Sequence, residues 1–176
     1  MKRLSLLFTV LVGSMCVFQS CNNDDDDDYA MSNQDFVVQA SSSNRFEIMA
    51  GEVAVTKGQS DTVTMYGQHM VTDHTAAQAE LAMLASTKGI GLPEGLLTHH
   101  ASNLNTLENN TSQELFDRRF AEFMVLSHQE AVNLFSLASR PNGVPDPEIR
   151  AWAASKLPAL QMHLEHAVEL YNVVTD

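Results

Sequence analysis

The chain has 176 residues, with 10 Lys and Arg against 22 Asp and Glu and a formal charge of −12. That length supports one domain with a substantial core. So acidic a surface repels phosphate backbones, which argues against nucleic acid as a partner, and no basic cluster invites anionic lipid.

Residues 1–20 read as an export signal. Lys2 and Arg3 form a positive start, and "LSLLFTVLVGSMCVF" is a mostly apolar run too short for a comfortable membrane span. A signal anchor is the alternative. "FQSC" then places the small Ser20 directly before Cys21, which resembles a relaxed bacterial lipobox with Phe18 in place of the usual Leu. The resemblance implies that Cys21 is lipidated and becomes the first mature residue, so that the membrane is a partner. "GSMC" at Cys16 fits less well because Met15 is not small, and a free thiol is the other reading of Cys21. Cys16 leaves with the signal, and no intrachain disulfide is then possible. "NNDDDDD", residues 22–28, self-repels and extends, so residues 21–31 read as a tether. An acidic run just after a lipidated cysteine is similar to the surface-export signal of Bacteroidetes-type lipoproteins. It implies a lipid-anchored outer-membrane protein exposed at the surface.

From 32 to 174 the pattern is helical. Continuous period-two runs are absent, and Ala, Leu, Met, Gln and Glu dominate. The first helix is expected from about Ser32 to Lys57. The second opens at Ser60 as N-cap and ends near Lys88, with Gly89 suited to the left-handed cap position. "GIGLPEG" breaks the chain, and Leu96 to Glu108 forms a shorter helix. Thr111 followed by Glu114 makes a capping box for the third long helix, which ends at Arg140 before the turn "PNGVPDP". Asp146 caps the fourth, with Pro147 at its first position and an end near Val173. Short turns join the first pair and the last pair, and more than twenty residues separate the pairs. The expected fold is therefore all-α: a ferritin-like four-helix bundle of two antiparallel hairpins joined by a long crossover with a short helix. An up-down-up-down bundle with a decorated loop is the alternative.

Each long helix carries one metal-ligand residue type in its apolar stripe. On the second helix Met70, His74, Ala77 and Leu81 share a seam; on the third, His128 lies among Met124, Ala131 and Phe135; on the fourth, His163 lies among Leu160 and Ala167. Glu47 occupies the matching stripe of the first. Counting from the turns at 1.5 Å per residue, Glu47 and His74 differ in level by roughly 4–5 Å, and His128 and His163 by roughly 7–8 Å. Three imidazoles and a carboxylate buried together need compensation. One transition-metal ion (Zn, Fe, Mn or Cu) bound by Glu47, His74, His128 and His163, with Asp73 and Asp117 behind them, supplies it. A metal-free hydrogen-bond network fed by Asp117, Asp73 or Tyr66 is the competing reading. The first gives envelope metal handling or redox chemistry, the second a non-catalytic structural or interaction protein.

The segments "MVTDHTAAQAELAMLASTKGIGLP", "FDRRFAEFMVLSHQEAVNLF" and "LPALQMHLEHA" resemble a bacterial domain-of-unknown-function family of exported proteins, often labelled membrane or outer-membrane proteins. The resemblance spans about residues 33–173. It implies a ferritin-like fold and places the family's polar pattern on Asp73 and His74, Asp117 and His128, and Pro158 and His163, with Glu47 at an acidic position. It implies no activity. Ferritin-like di-iron sites use Glu-x-x-His, but Val71, Val125 and Leu160 stand three residues before the histidines, so a ferroxidase centre is disfavoured. Pro158 removes a backbone donor inside the last helix and is expected to kink it. His99 and His100 read as a solvated pair in the crossover, with a surface metal site as the alternative; His69 is expected to be exposed and Trp152 to anchor the core.

Overall fold

The computed structural model describes residues 29–110 and 112–176. The export signal, Cys21, the acidic run and the Thr111 cap lie outside the described residues. Five helices follow one another: α1 Asn33–Lys57, α2 Asp61–Thr87, α3 Thr98–Glu108, α4 Gln113–Ala138 and α5 Pro147–Thr175. No described residue is in a strand. The helix starts follow local chemistry. Ser32 Oγ accepts from Asp35 N–H at 3.0 Å, Ser60 Oγ from Val63 N–H at 3.2 Å, and Asp146 Oδ1 from the Glu148 and Ile149 N–H groups at 2.8 and 3.1 Å. Gly89 adopts φ +65°, the left-handed conformation expected after α2. α5 continues as one helix through Pro158, an exposed position.

α1 pairs with α2 and α4 with α5, and the two hairpins join through the crossover that carries α3. Contacts tie the crossover to α1. Arg45 Nη1 donates to the Pro93 and Glu94 carbonyls at 3.0 and 2.6 Å, and Leu97 N–H donates to Ser42 Oγ at 2.8 Å. The chain just before α1 is held too. Ala30 and Met31 N–H bond the Asn142 and Gly143 carbonyls of the α4–α5 turn at 2.8 and 3.0 Å. No helix among the described residues is long and apolar enough to cross a membrane.

α1 and α2 meet backbone to backbone. A Cβ built on Gly51 would lie 2.6 Å from the Gly67 carbonyl oxygen, and one on Gly67 would lie 2.9 Å from that of Gly51. Both glycines are needed for this approach. Gly51→Val is expected to cost about 3 kcal/mol, at the upper end of overpacking penalties, in a chemical denaturation measurement. Gly91→Ala, where an added Cβ meets nothing within 4 Å, should stay within about 0.5 kcal/mol of wild type. Equal loss in both variants would show that the close crossing does not matter.

The apolar core is divided. One cluster contains Phe46, Ala50, Ala54, Val63, Met70, Phe116, Phe120, Met124, Ala167 and Leu170. The other contains Phe36, Ala40, Leu81, Ala85, Phe135, Ala138, Ile149, Ala153 and Leu160. In α2, α4 and α5 the break between the two falls at His74, His128 and His163, and in α1 at Ser41 to Asn44, next to Glu47. Buried polar side chains thus occupy a middle layer to which all four long helices contribute.

Candidate metal centre

His74, His128 and His163 meet in that layer. Their ring centroids form a nearly equilateral triangle, with 5.5 Å from His74 to His128, 5.5 Å from His74 to His163 and 5.4 Å from His128 to His163. One ring nitrogen from each lies within 4.8 Å of those from the other two. All three side chains are buried.

Each ring is oriented by a bond on its other nitrogen. His128 Nδ1 lies 2.9 Å from the Met124 carbonyl oxygen, which can only accept, so Nδ1 carries the proton. His163 Nε2 lies 3.0 Å from Asp73 Oδ2, so Nε2 donates there. His74 Nδ1 lies 3.0 Å from Asn44 Oδ1. The Asn44 amide is oriented in turn by donating to Gln78 Oε1 at 3.4 Å, while Gln78 Nε2 donates to Ser41 Oγ at 2.9 Å. Proton positions are thus fixed by their partners. What remains is one lone pair per ring, on His74 Nε2, His128 Nε2 and His163 Nδ1. None of the three nitrogens has a hydrogen-bond partner.

The environment keeps these rings neutral. Burial lowers the His74 pKa well below its ordinary value, and His128 and His163 beside it push the same way. Burial lowers that of His128 to about 3 against the raising effect of its Met124 bond. Burial also lowers that of His163, although the Asp73 carboxylate opposes it. Neutral imidazole with a free lone pair is the metal-ligating form.

Glu47 is buried in the same layer but is not one of the three groups that come within 4.8 Å of one another. Its Oε1 accepts from the Ser127 hydroxyl and lies 3.6 Å from His128 Nδ1, the edge of the ring opposite the free lone pair. Burial raises its pKa to about 8, partly offset by the Ser127 bond, so it holds a proton at neutral pH. Oε2 has no partner.

Asp73 stands behind His163, its Oδ2 3.0 Å from His163 Nε2. Asp117 does not stand behind the histidines. Its two oxygens accept the Gln59 and Ser60 N–H groups at 2.9 Å each and so cap the α1–α2 turn. Eleven residues of α4 separate it from His128, roughly 16 Å along the axis. Tyr66 bonds the site at backbone, its hydroxyl donating to the His163 carbonyl at 2.9 Å, and its ring lies edge-on to His128 with centroids 6.5 Å apart. Periodicity does not single out Asn44 and Ser127; their only sequence signal is position, three residues before Glu47 and directly before His128.

Solvent reaches the layer between α2 and α5. A cleft of about 490 Å³ there is lined by Met65, Tyr66, Met70, Asp73, Met162 and His163, with the exposed His69 and His166 at its edge. A smaller one of about 180 Å³ includes Asn44, Asp73, His74 and His163. Trp152 lies beside it, half-buried against Phe36 and Phe135, and donates to Glu80 Oε2 at 3.0 Å, so it serves the seam as well as the core.

No curated protein matches the chain. Among solved structures the fold is similar to that of CopM in the Cu(II)-bound form, with a TM-score of 0.65 at 18% identity over 81% of this chain and 97% of that one. At that identity the likeness is one of fold. The family described as a domain of unknown function, DUF4142, matches residues 20–170, which include all five helices up to Leu170, and the chain belongs to that family.

Proposed function

We propose that this domain binds a single transition-metal ion through His74 Nε2, His128 Nε2 and His163 Nδ1, and that it handles metal at the cell envelope while tethered through a lipidated Cys21. The carrying observation is the set of three buried nitrogens with no hydrogen-bond partner. A hydrogen-bond network would have paired them. One water offers two O–H donors to three acceptors, so a trapped water leaves at least one nitrogen bare. An ion bonded at roughly 2.0–2.1 Å holds its nitrogens roughly 3.3 Å apart in a tetrahedral site, which small ring rotations reach from the present spacing.

Neutral imidazole donors suit copper or zinc. Copper is the first ion to test, because the similar fold of CopM was solved with Cu(II). Three protein donors leave one coordination position open, and the two clefts bordering the layer are lined by His163 and by His74 with His163. Bound there, the ion offers Lewis acidity or, if copper, electron transfer. The chain's own part is orientation: Asn44, Met124 and Asp73 fix which nitrogen of each ring is free. Glu47 stands beside His128 as a supporting group in this reading, where the sequence alone had made it a ligand.

Chelator-stripped protein is expected to take up one tightly held equivalent of Cu²⁺ or Zn²⁺, measured by elemental analysis after gel filtration. Its Tm should rise by several degrees, since an ion at a hundredfold excess over Kd stabilises by about 2.7 kcal/mol. Protein that takes up neither ion, nor iron or manganese, and whose Tm ignores all four would refute the reading. Lipidation is a separate question: Cys21→Ala should abolish labelling by a fatty-acid analogue, and persistent labelling would refute the tether.

A further inference from the structure

We propose a second, solvent-facing site for a divalent metal ion where the crossover lies on α1 and α4, formed by His99, His100 and Glu130. His99 and His100 open α3, and Glu130 projects from α4. The expectation of a solvated pair holds for His99 and fails for His100, which is buried. The His100 ring stacks on Phe46, with centroids 5.2 Å apart and planes 8° from parallel. Its Nδ1 lies 2.7 Å from Ser42 Oγ. Ser42 also accepts Leu97 N–H at the start of α3, and its oxygen has a second lone pair for His100 Nδ1–H. In that tautomer the Nε2 lone pair of a rigidly held ring faces Glu130.

The spacing points to an ion rather than to direct pairing. Glu130 Oε2 lies 3.6 Å from His99 Nε2 and 4.0 Å from His100 Nε2. Both are too long for a hydrogen bond. They approach the roughly 3.3 Å that separates neighbouring donors around a metal bonded at roughly 2.0–2.2 Å. The three donor atoms lie within 4.8 Å of one another, and a cavity of about 60 Å³ adjoins them, room for an ion with about one water. His99 and Glu130 are exposed, so waters complete the coordination and the ion exchanges freely. Two imidazoles and one carboxylate suit Zn²⁺ or Cu²⁺. The site shares no ligand with the buried trio and does not depend on it.

The test is calorimetric titration of Zn²⁺ into the full chain, purified in detergent and stripped of metal. Two equivalents are expected, one tight and one weaker. His99→Ala combined with Glu130→Gln changes exposed side chains only, so the fold is kept. It should remove the weaker equivalent or weaken it at least tenfold and leave the tight one unchanged. His128→Leu should do the reverse and spare the weaker equivalent, which separates this site from the buried one. The proposal is overturned if the His99/Glu130 variant gives the wild-type isotherm. It is equally overturned if wild type binds one equivalent and only His128→Leu removes it, or if wild type binds none.

Discussion

Replacing His128 with leucine is expected to move metal affinity and metal-free stability in opposite directions. Affinity for the tightly held ion should fall at least a hundredfold, on the order of 3 kcal/mol, because one of three donors is gone and an apolar side chain fills its place. In the absence of metal the same variant should be more stable than wild type, by about 1–2 kcal/mol. The reason lies in what His128 lacks. Its Nε2 is fully buried and bonded to nothing, and such an atom costs about 1–3 kcal/mol of desolvation. Its Nδ1 bonds a carbonyl of its own helix, so removing the ring strands no distant partner. Leucine fills a similar volume beside Tyr66 and the His74 and His163 rings. A packing network makes the opposite forecast, since there the ring would be a satisfied member whose loss destabilises. Denaturant titrations of wild type and His128→Leu, each with chelator and with copper, decide the matter. A variant less stable than wild type in chelator and unchanged in copper response would refute the metal centre. Stability given up for an unpaired donor set is common where a site must be ready for its ligand. Asp73→Asn is a milder companion: it keeps the fold but weakens the acceptor that orients His163, for about a 10–100-fold loss of affinity.

Much of this arrangement was legible from periodicity. The seams at Met70, His74 and Leu81, and at Met124, His128 and Phe135, follow from three-four spacing alone, and so does the connectivity of two short turns and one long crossover. The level of the site was less legible. Counting residues left His128 and His163 roughly 7–8 Å apart, yet their rings are 5.4 Å apart. Side chains on a helix lean toward its N-terminus. His128 therefore leans away from the α4–α5 turn and His163 toward it, which closes the gap that axial counting leaves open. Glu47 shows the opposite limit. Its stripe follows from the spacing, but a flexible carboxylate can approach His128 from either edge. The Ser127 hydroxyl draws it to the Nδ1 edge. Asp117 illustrates a third difficulty. It starts the stripe that contains His128, yet it lies opposite the unpaired N–H groups of Gln59 and Ser60 and satisfies them. Sequence periodicity says which face a residue shares, not which backbone end lies across from it.

The buried titratable groups also predict how stability depends on pH in the metal-free protein. The folded-state pKa of Glu47 is raised from 4.5 to about 8 by burial. Between those values the unfolded chain has released the proton and the folded one has not. Stability from this group is therefore full below pH 4.5 and falls by about 1.4 kcal/mol per pH unit up to pH 8, on the order of 5 kcal/mol in all. The three histidines act with the reverse slope. Their folded-state pKa values are lowered from 6.5, so on acidification below 6.5 the unfolded chain gains protons that the folded one refuses. Each then removes up to about 1.4 kcal/mol per pH unit. Burial lowers the His100 pKa to about 4 in the same sense, so just below pH 6.5 four such groups outweigh one glutamate; above it the glutamate acts alone. The metal-free domain should thus be most stable near pH 6.5 and lose stability on both sides, more steeply toward acid. Glu47→Gln separates the two limbs. The amide resembles the protonated acid and still accepts from Ser127, but it cannot ionise. The variant should match wild type at pH 5 and exceed it by several kcal/mol at pH 8.5, in urea denaturation with chelator present. Parallel curves for the two proteins from pH 5 to 9 would mean that Glu47 ionises at its ordinary pKa. The middle layer would then be wet enough to solvate a carboxylate, and wet enough to satisfy the three free nitrogens without a metal.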